Sequence, residues 1–139
     1  MTDIAAPRTA FINLPVKDLA RSVEFFTALG FTFDPQATGD DTAYMVVGDG
    51  ASVLLHVERF FREFTGSEIA DTSTTREVAV GLSAVNREEV DELTDRAVAA
   101  GGQAVGVQDQ GFMYMRAFRD LDGHQWSFIH LDMSAMGQQ

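Results

Sequence analysis

Two stretches of this chain follow one plan, and that duplication limits the fold more than any other feature. KDLARSVEFFTALG, residues 17–30, follows the strand-like TAFINLPV, and NREEVDELTDRAVAAGG, residues 86–102, follows EVAVGLSAV. In the first, Leu19, Val23, Phe26 and Leu29 recur at helical spacing behind Asp18 as an N-cap, and Gly30 ends the helix. In the second, Asn86 and Glu89 form a capping box, Val90, Leu93, Ala97 and Ala100 make the apolar stripe, and Gly101 closes it. Three extended segments follow each helix: around Thr32, 43–47 and 52–56 in the first half, and 103–107, 113–119 and 125–131 in the second. GDG at 48–50 and DLDG at 120–123 supply turns. Each half therefore reads βαβββ, and the expected fold is α+β, built from two βαβββ modules. Taking Phe11 and Val80 as equivalent strand positions sets a repeat offset of 69 residues, half the length of the chain. The modules span about 8–65 and 77–133 within a single domain over 1–139, and the small, polar stretch 66–76 reads as their linker.

Composition narrows the function. With 21 acidic against 10 basic residues the formal charge is -11, which opposes a phosphate-backbone or anionic-membrane partner and suits a cationic ligand if it does more than solvate the surface. No cysteine is present, so disulfides, thiolate metal sites and cysteine nucleophiles are excluded. The longest apolar runs are too short to cross a bilayer and the first residues lack a signal-peptide pattern, so a cytoplasmic protein is expected. There is no glycine-rich phosphate loop and no G-x-S-x-G elbow.

The order strand, V-x-D, helix ending L-G-F, then D-x-D-G-H-x-W before the last strand resembles the vicinal oxygen chelate superfamily of glyoxalases, bleomycin-resistance proteins and extradiol dioxygenases. FINLPVKDLARSVEFFTALGF and GFMYMRAFRDLDGHQWSFIH carry the likeness, which covers nearly the whole chain. The resemblance implies that the two modules form cupped mixed sheets around a central cavity, usually in a homodimer. In the superfamily's metalloenzymes it also implies four inward ligands of His, Gln or Glu type. The matching positions here are Phe11, five residues before the valine of V-x-D, then Leu54, Val80, and Ser127, four beyond the glycine of the turn. Three of these have no donor atom, and a neutral hydroxyl binds divalent ions weakly without carboxylates beside it. No metal and no cofactor are expected.

Strand alternation builds the rest of the inward set. A three-residue turn with glycine in the left-handed position pairs Asp120 with His124 and Ala117 with Ser127. Met113, Met115 and Ala117 then share the face of Gln125, Ser127 and Ile129, while Trp126 and Phe118 share the other. Phe11, Asn13 and Pro15 form a second row, Leu54 and His56 a third, and Val80, Leu82 and Ala84 a fourth. These make a mostly apolar pocket whose candidate ligand contacts are Phe11, Asn13, Leu54, His56, Val80, Met115, Gln125 and Ser127. His56 reads equally well as a hydrogen-bonded strand-end residue and as a ligand contact or proton shuttle. His124 belongs with Trp126 on the helix side, and Asp120 and Asp122 are turn-formers. In VERFFREF, residues 57–64, Phe60, Phe61 and Phe64 fall on one side of a short helix. It either docks on its own sheet or forms a lid offering an arginine to an anionic group.

Two functions fit. One is a metal-free protein that binds a hydrophobic or cationic small molecule, as bleomycin-resistance proteins do, without chemistry. The other is a glyoxalase-like lyase or dioxygenase-type enzyme acting on a small oxygenated or thiol-conjugated substrate, with His56 as a metal-free base or with an unusual metal site. The resemblance names no catalytic residue here. Exposed Phe11, Met113, Met115 and Phe60 or Phe64 would favour a homodimer.

Overall fold

The computed structural model describes residues 3–136. The chain divides after Ile69 into two compact units. The first contains β1 (Ala10–Val16), α1 (Leu19–Leu29), β2 (Thr32–Phe33), β3 (Thr42–Gly48), β4 (Ala51–Val57) and α2 (Glu58–Thr65). The second contains β5 (Ala79–Ser83), α3 (Arg87–Ala99), β6 (Gln103–Asp109), β7 (Met113–Arg119) and β8 (Gln125–Leu131), then one helical turn, Met133–Met136. Each unit is a βαβββ module with a four-stranded mixed sheet, ordered β1-β4-β3-β2 and β5-β8-β7-β6. In both, the first strand runs parallel to the last and the remaining pairs are antiparallel. None of the described helices is long and apolar enough to span a membrane.

Local chemistry explains the helix ends. Asp18 accepts from the Arg21 amide at 3.2 Å and Asn86 from the Glu89 amide at 2.8 Å, each satisfying a donor that the first turn would otherwise orphan. Such caps contribute about 1 kcal/mol each. The return bond of the second cap runs from the Val85 amide to Glu89 Oε1, at 3.1 Å, one residue earlier than a capping box places it. Gly30 closes α1 at φ 109°, and Gly101 takes φ 113° one residue past the Ala100 cap of α3.

The apolar stripes are rotated from their expected positions. α1 buries Ser22, Phe25, Phe26 and Leu29, leaving Leu19 and Val23 half-buried. α3 buries Val90, Thr94 and Ala97, while Leu93 and Ala100 are only half-buried. Thr94 is tolerated there because its hydroxyl donates to the Val90 carbonyl at 2.7 Å. Each helix covers one face of its own sheet: Leu14, Val16, Met45, Val53 and Leu55 form that face in the first unit, and Phe118, Trp126 and Phe128 in the second. Burying side chains of this size stabilises by about 1.5–3 kcal/mol each. The opposite, open face of each sheet is left for other work.

The candidate site on the open sheet faces

In the first unit, β1 and β4 align Phe11 with Ser52, Asn13 with Leu54 and Pro15 with His56, and β3 sets Thr42 against His56 and Tyr44 against Leu54. These side chains alternate with the buried row, so Phe11, Asn13, Leu54 and His56 all lie on the open face. Phe11 is 55% exposed and meets Tyr44 edge-on at 6.2 Å.

His56, by contrast, is buried. Its Nε2 lies 2.8 Å from Asn13 Oδ1 and its Nδ1 2.8 Å from Thr42 Oγ1. An amide oxygen can only accept, so the Nε2 nitrogen carries the proton and Nδ1 takes the threonine hydroxyl. Phe60 and Phe64 stack on the ring at 5.1 and 5.7 Å, with Phe61 at 6.3 Å. Burial lowers the imidazole pKa from its ordinary 6.5. A neutral ring with both nitrogens engaged has no lone pair for a metal. The aromatic side of α2 therefore docks on its own sheet, with His56 as its seat, while Arg59 pairs with Asp41 and Glu63.

In the second unit, Ala117 faces Ser127, Met115 faces Ile129 and Arg119 faces Gln125. Met115, Gln125 and Ser127 thus share the open face. Asp120 bonds His124 across the turn at 2.9 Å, with Gly123 at φ 83°. Asp120 also accepts from the Trp126 indole at 2.9 Å and from the Asp122 and His124 amides at 2.9 and 3.0 Å. Burial pushes its carboxyl above the usual range, against the opposing pull of His124 and these donors. It holds the hairpin, and His124 is buried beside it. His130 lies 3.2 Å from the Ala84 carbonyl through Nδ1.

Val80 departs from its expected place. It pairs with Trp126 and is 5% exposed on the helix side, whereas Gly81 pairs with Ser127 on the open face. Leu82, opposite Phe128, follows Val80. The cause is an offset of 69 residues in a repeat whose two N-caps, Asp18 and Asn86, lie 68 apart. One residue of slip turns a whole strand over. The open face of β5 is instead Ala79, Gly81 and Ser83.

This correction does not restore a metal site. The oxygen and nitrogen donors at open-face strand positions are Asn13, Thr42, Tyr44, Ser52 and a fully engaged His56 on the first unit, and Ser83, Gln103, Gln108, Gln125 and Ser127 beside Arg119 on the second, with no carboxylate on either. Among the described residues no three His, Cys, Asp or Glu side chains gather closely enough to hold an ion. The donor set does not fit the divalent metal that the superfamily's metalloenzymes carry.

The open face also holds a charged residue that the inward rows expected from the sequence do not include. Alternation along β7 continues from Met113, Met115 and Ala117 to Arg119, whose buried Nε has no hydrogen-bond partner. The same alternation rule reaches it. What that rule cannot supply is the absence of any carboxylate opposite.

Comparison with known proteins agrees with this architecture. The sequence profile of the Glyoxalase/Bleomycin resistance protein/Dioxygenase superfamily matches residues 8–128, and the chain belongs to that superfamily. A hypothetical protein from S. aureus is 30% identical with a TM-score of 0.75, over 86% of this chain and 91% of its own. A glyoxalase-related enzyme from Fulvimarina pelagi is 25% identical with a TM-score of 0.73, over 88% and 87%. FosX, a fosfomycin resistance protein from Listeria monocytogenes solved with Mn(II) and a dihydroxypropylphosphonic acid, shares the fold at 20% identity and a TM-score of 0.63, over 91% and 90%. No curated protein matches the chain.

Proposed function

We propose that this chain is a metal-independent small-molecule-binding protein of its superfamily, which holds a largely apolar compound against an open sheet face without transforming it. The observation that carries this reading is the make-up of those faces. On the first unit's face Phe11 and Leu54 provide apolar contact; on the second unit's face Met115 and Ile129 do so, with Gln125 and Ser127 as polar handles; and at the strand positions of neither face does a carboxylate or free imidazole stand to ligate an ion or move a proton. Apolar walls with a few polar groups are what small-molecule sites present. Asn13 and His56 serve the first unit's face indirectly, by seating α2. The glyoxalase or dioxygenase alternative needs a Lewis acid or a base at positions where this chain has neither.

The reading includes self-association. Phe11 and Phe64, 55% and 58% exposed, leave apolar surface on the first unit of a kind that favours a partner, and a second copy of the chain supplies one. Light scattering behind size exclusion should give the mass of a dimer at micromolar concentration.

The test of function is a thermal-shift screen of apolar small molecules run in chelator and again with added Zn, Ni, Mn or Fe. Compounds that raise Tm should do so equally in both, because anything that binds only the folded chain stabilises it. Stoichiometric metal in the purified protein, or metal-dependent turnover of a thiohemiacetal or catechol, would reverse the assignment in favour of an enzyme.

A further inference from the structure

We infer that Arg119 is an anion-holding subsite on the open face of the second unit, and that the ligand is a monocarboxylate with an elongated apolar body. The inference rests on the ligand-binding reading above and adds the chemistry of one end of the ligand.

Arg119 differs from the other arginine of its own strand. Arg116, on the helix face of β7, reaches Asp91 at 3.2 Å and Asp95 at 3.0 Å. Arg119, on the opposite face, forms no ion pair among the described residues, and its Nε is buried without a partner. Donors on a charged group are costly to leave unmade. A chain of net charge -11 has carboxylates to spare, yet none occupies a strand position on this face. The register gives its composition: Ala79, Gly81 and Ser83 from β5, Gln103, Gly106 and Gln108 from β6, then the β7 row and Gln125, Ser127, Ile129 and Leu131 from β8. Arg119 is the single charged side chain in that set. The acidity of the whole chain therefore does not define the field at this surface, and the cationic preference drawn from net charge alone does not carry over to it.

Ligand class follows from what surrounds the guanidinium. Its planar fork matches a carboxylate with two parallel hydrogen bonds. Gln125, directly across the ladder, adds a neutral polar neighbour, and Ser127 stands one step on. One guanidinium, the single charge at the strand positions of this face, neutralises one negative charge, so a monoanion is favoured. Beyond this polar end the face turns apolar through Ala117, Met115 and Ile129. Further along, at the ends of β5 and β8, lies a cleft of about 240 Å³ to which Gly81, Ser83, Ile129 and Leu131 of this face contribute, with Leu82 and Ala84 at its β5 edge. From position 125 to position 129 an extended strand advances about 13 Å, which sets the reach of the ligand body.

Calorimetric titration with decanoate, decanamide and decyltrimethylammonium, which share a chain and differ in charge, tests this on the intact protein and on Arg119→Gln, Arg119→Lys and Arg119→Met. Decanoate should bind wild type most tightly of the three. Arg119→Gln should weaken decanoate about tenfold, the loss expected of a charge-assisted hydrogen bond, and leave decanamide within about twofold. Arg119→Lys should retain part of the preference. Removing an unpaired functional charge should leave Tm unchanged or raised in Arg119→Met, whereas a structural arginine would lower it. If decanoate binds Arg119→Gln as well as wild type, or if Tm falls clearly in Arg119→Met, the subsite is wrong while ligand binding stands. If none of the three binds wild type, both the subsite and the binding reading fall.

Discussion

The indole Nε1–H of Trp126 donates to Asp120 Oδ2 at 2.9 Å, tying the first residue after β7 to the second residue of β8. Asp120 Oδ1 meanwhile accepts the amides of Asp122 and His124, so one carboxyl closes the turn and anchors the largest core side chain of its unit. Asp120→Ala would leave three donors without an acceptor and should destabilise by about 3 kcal/mol, whereas Asp120→Asn, which keeps one oxygen, should cost about half that. Trp126 is the only tryptophan, so its fluorescence in urea follows this core directly. Equal midpoints for the two variants would show that the carboxyl is not holding the turn.

His56 predicts a pH effect of definite sign. Burial lowers its folded pKa, so the unfolded chain takes up a proton first as pH falls past the ordinary value of 6.5. The stability it contributes is complete above that value and declines below it, toward the folded pKa. Between about pH 7.5 and about pH 5.5 the Tm of wild type should therefore fall further than that of His56→Gln, which shares every other titrating group. Parallel slopes would mean that the imidazole is not held neutral between Asn13 and the α2 phenyl rings.

How much of this was legible in the sequence depends on the distance over which each feature is decided. Asp18, Asn86 and the DLDG turn announce themselves locally, because a cap or a left-handed glycine is fixed by neighbours within four residues. The β7/β8 register follows from that turn, and with it the face shared by Met115, Gln125 and Ser127. β5 has no hairpin to fix it. Its partner β8 lies more than forty residues on, so in the sequence only the repeat offset bears on its register, and an offset of 69 is one residue too long. His56 was ambiguous for a related reason, since Asn13 reaches it across 43 residues and the three phenylalanines fold back on it only once α2 forms. Arg119 lay on a face already identified, but an unpaired arginine can be recognised only when every potential partner has been placed.

The corrected register makes its own prediction. Val80 packs beside Trp126, so Val80→Ala should lower stability by about 2 kcal/mol through lost burial and a residual cavity, without altering any ligand affinity. Gly81→Ala should do the reverse in part. Its Cβ would sit 3.1 Å from Ile129 Cδ1 and 3.4 Å from Ser127 Oγ, crowding the open face and disturbing binding. Both are read by urea unfolding alongside titration of any compound the thermal screen identifies, and loss of binding in Val80→Ala at unchanged stability would return that residue to the open face.

Gly123 joins the hairpin to the segment before β5, and there the backbone leaves little choice. It holds φ 83°, a conformation that costs an L-residue about 1–2 kcal/mol. An added Cβ would also lie 2.8 Å from Thr72 Oγ1 and 3.1 Å from the Thr72 carbonyl. Thr72 is held in place by donating its hydroxyl to the Asp122 carbonyl, so it cannot swing aside without losing that bond. Gly123→Ala should therefore destabilise by about 3 kcal/mol, more than the dihedral alone, and Thr72→Ala by about 1 kcal/mol. In the double variant the clash with the hydroxyl is gone while the dihedral strain remains. Its loss should then be less than the sum of the singles by about 1 kcal/mol, measured as a double-mutant cycle in urea. Strict additivity would show that Thr72 and the turn do not press on one another.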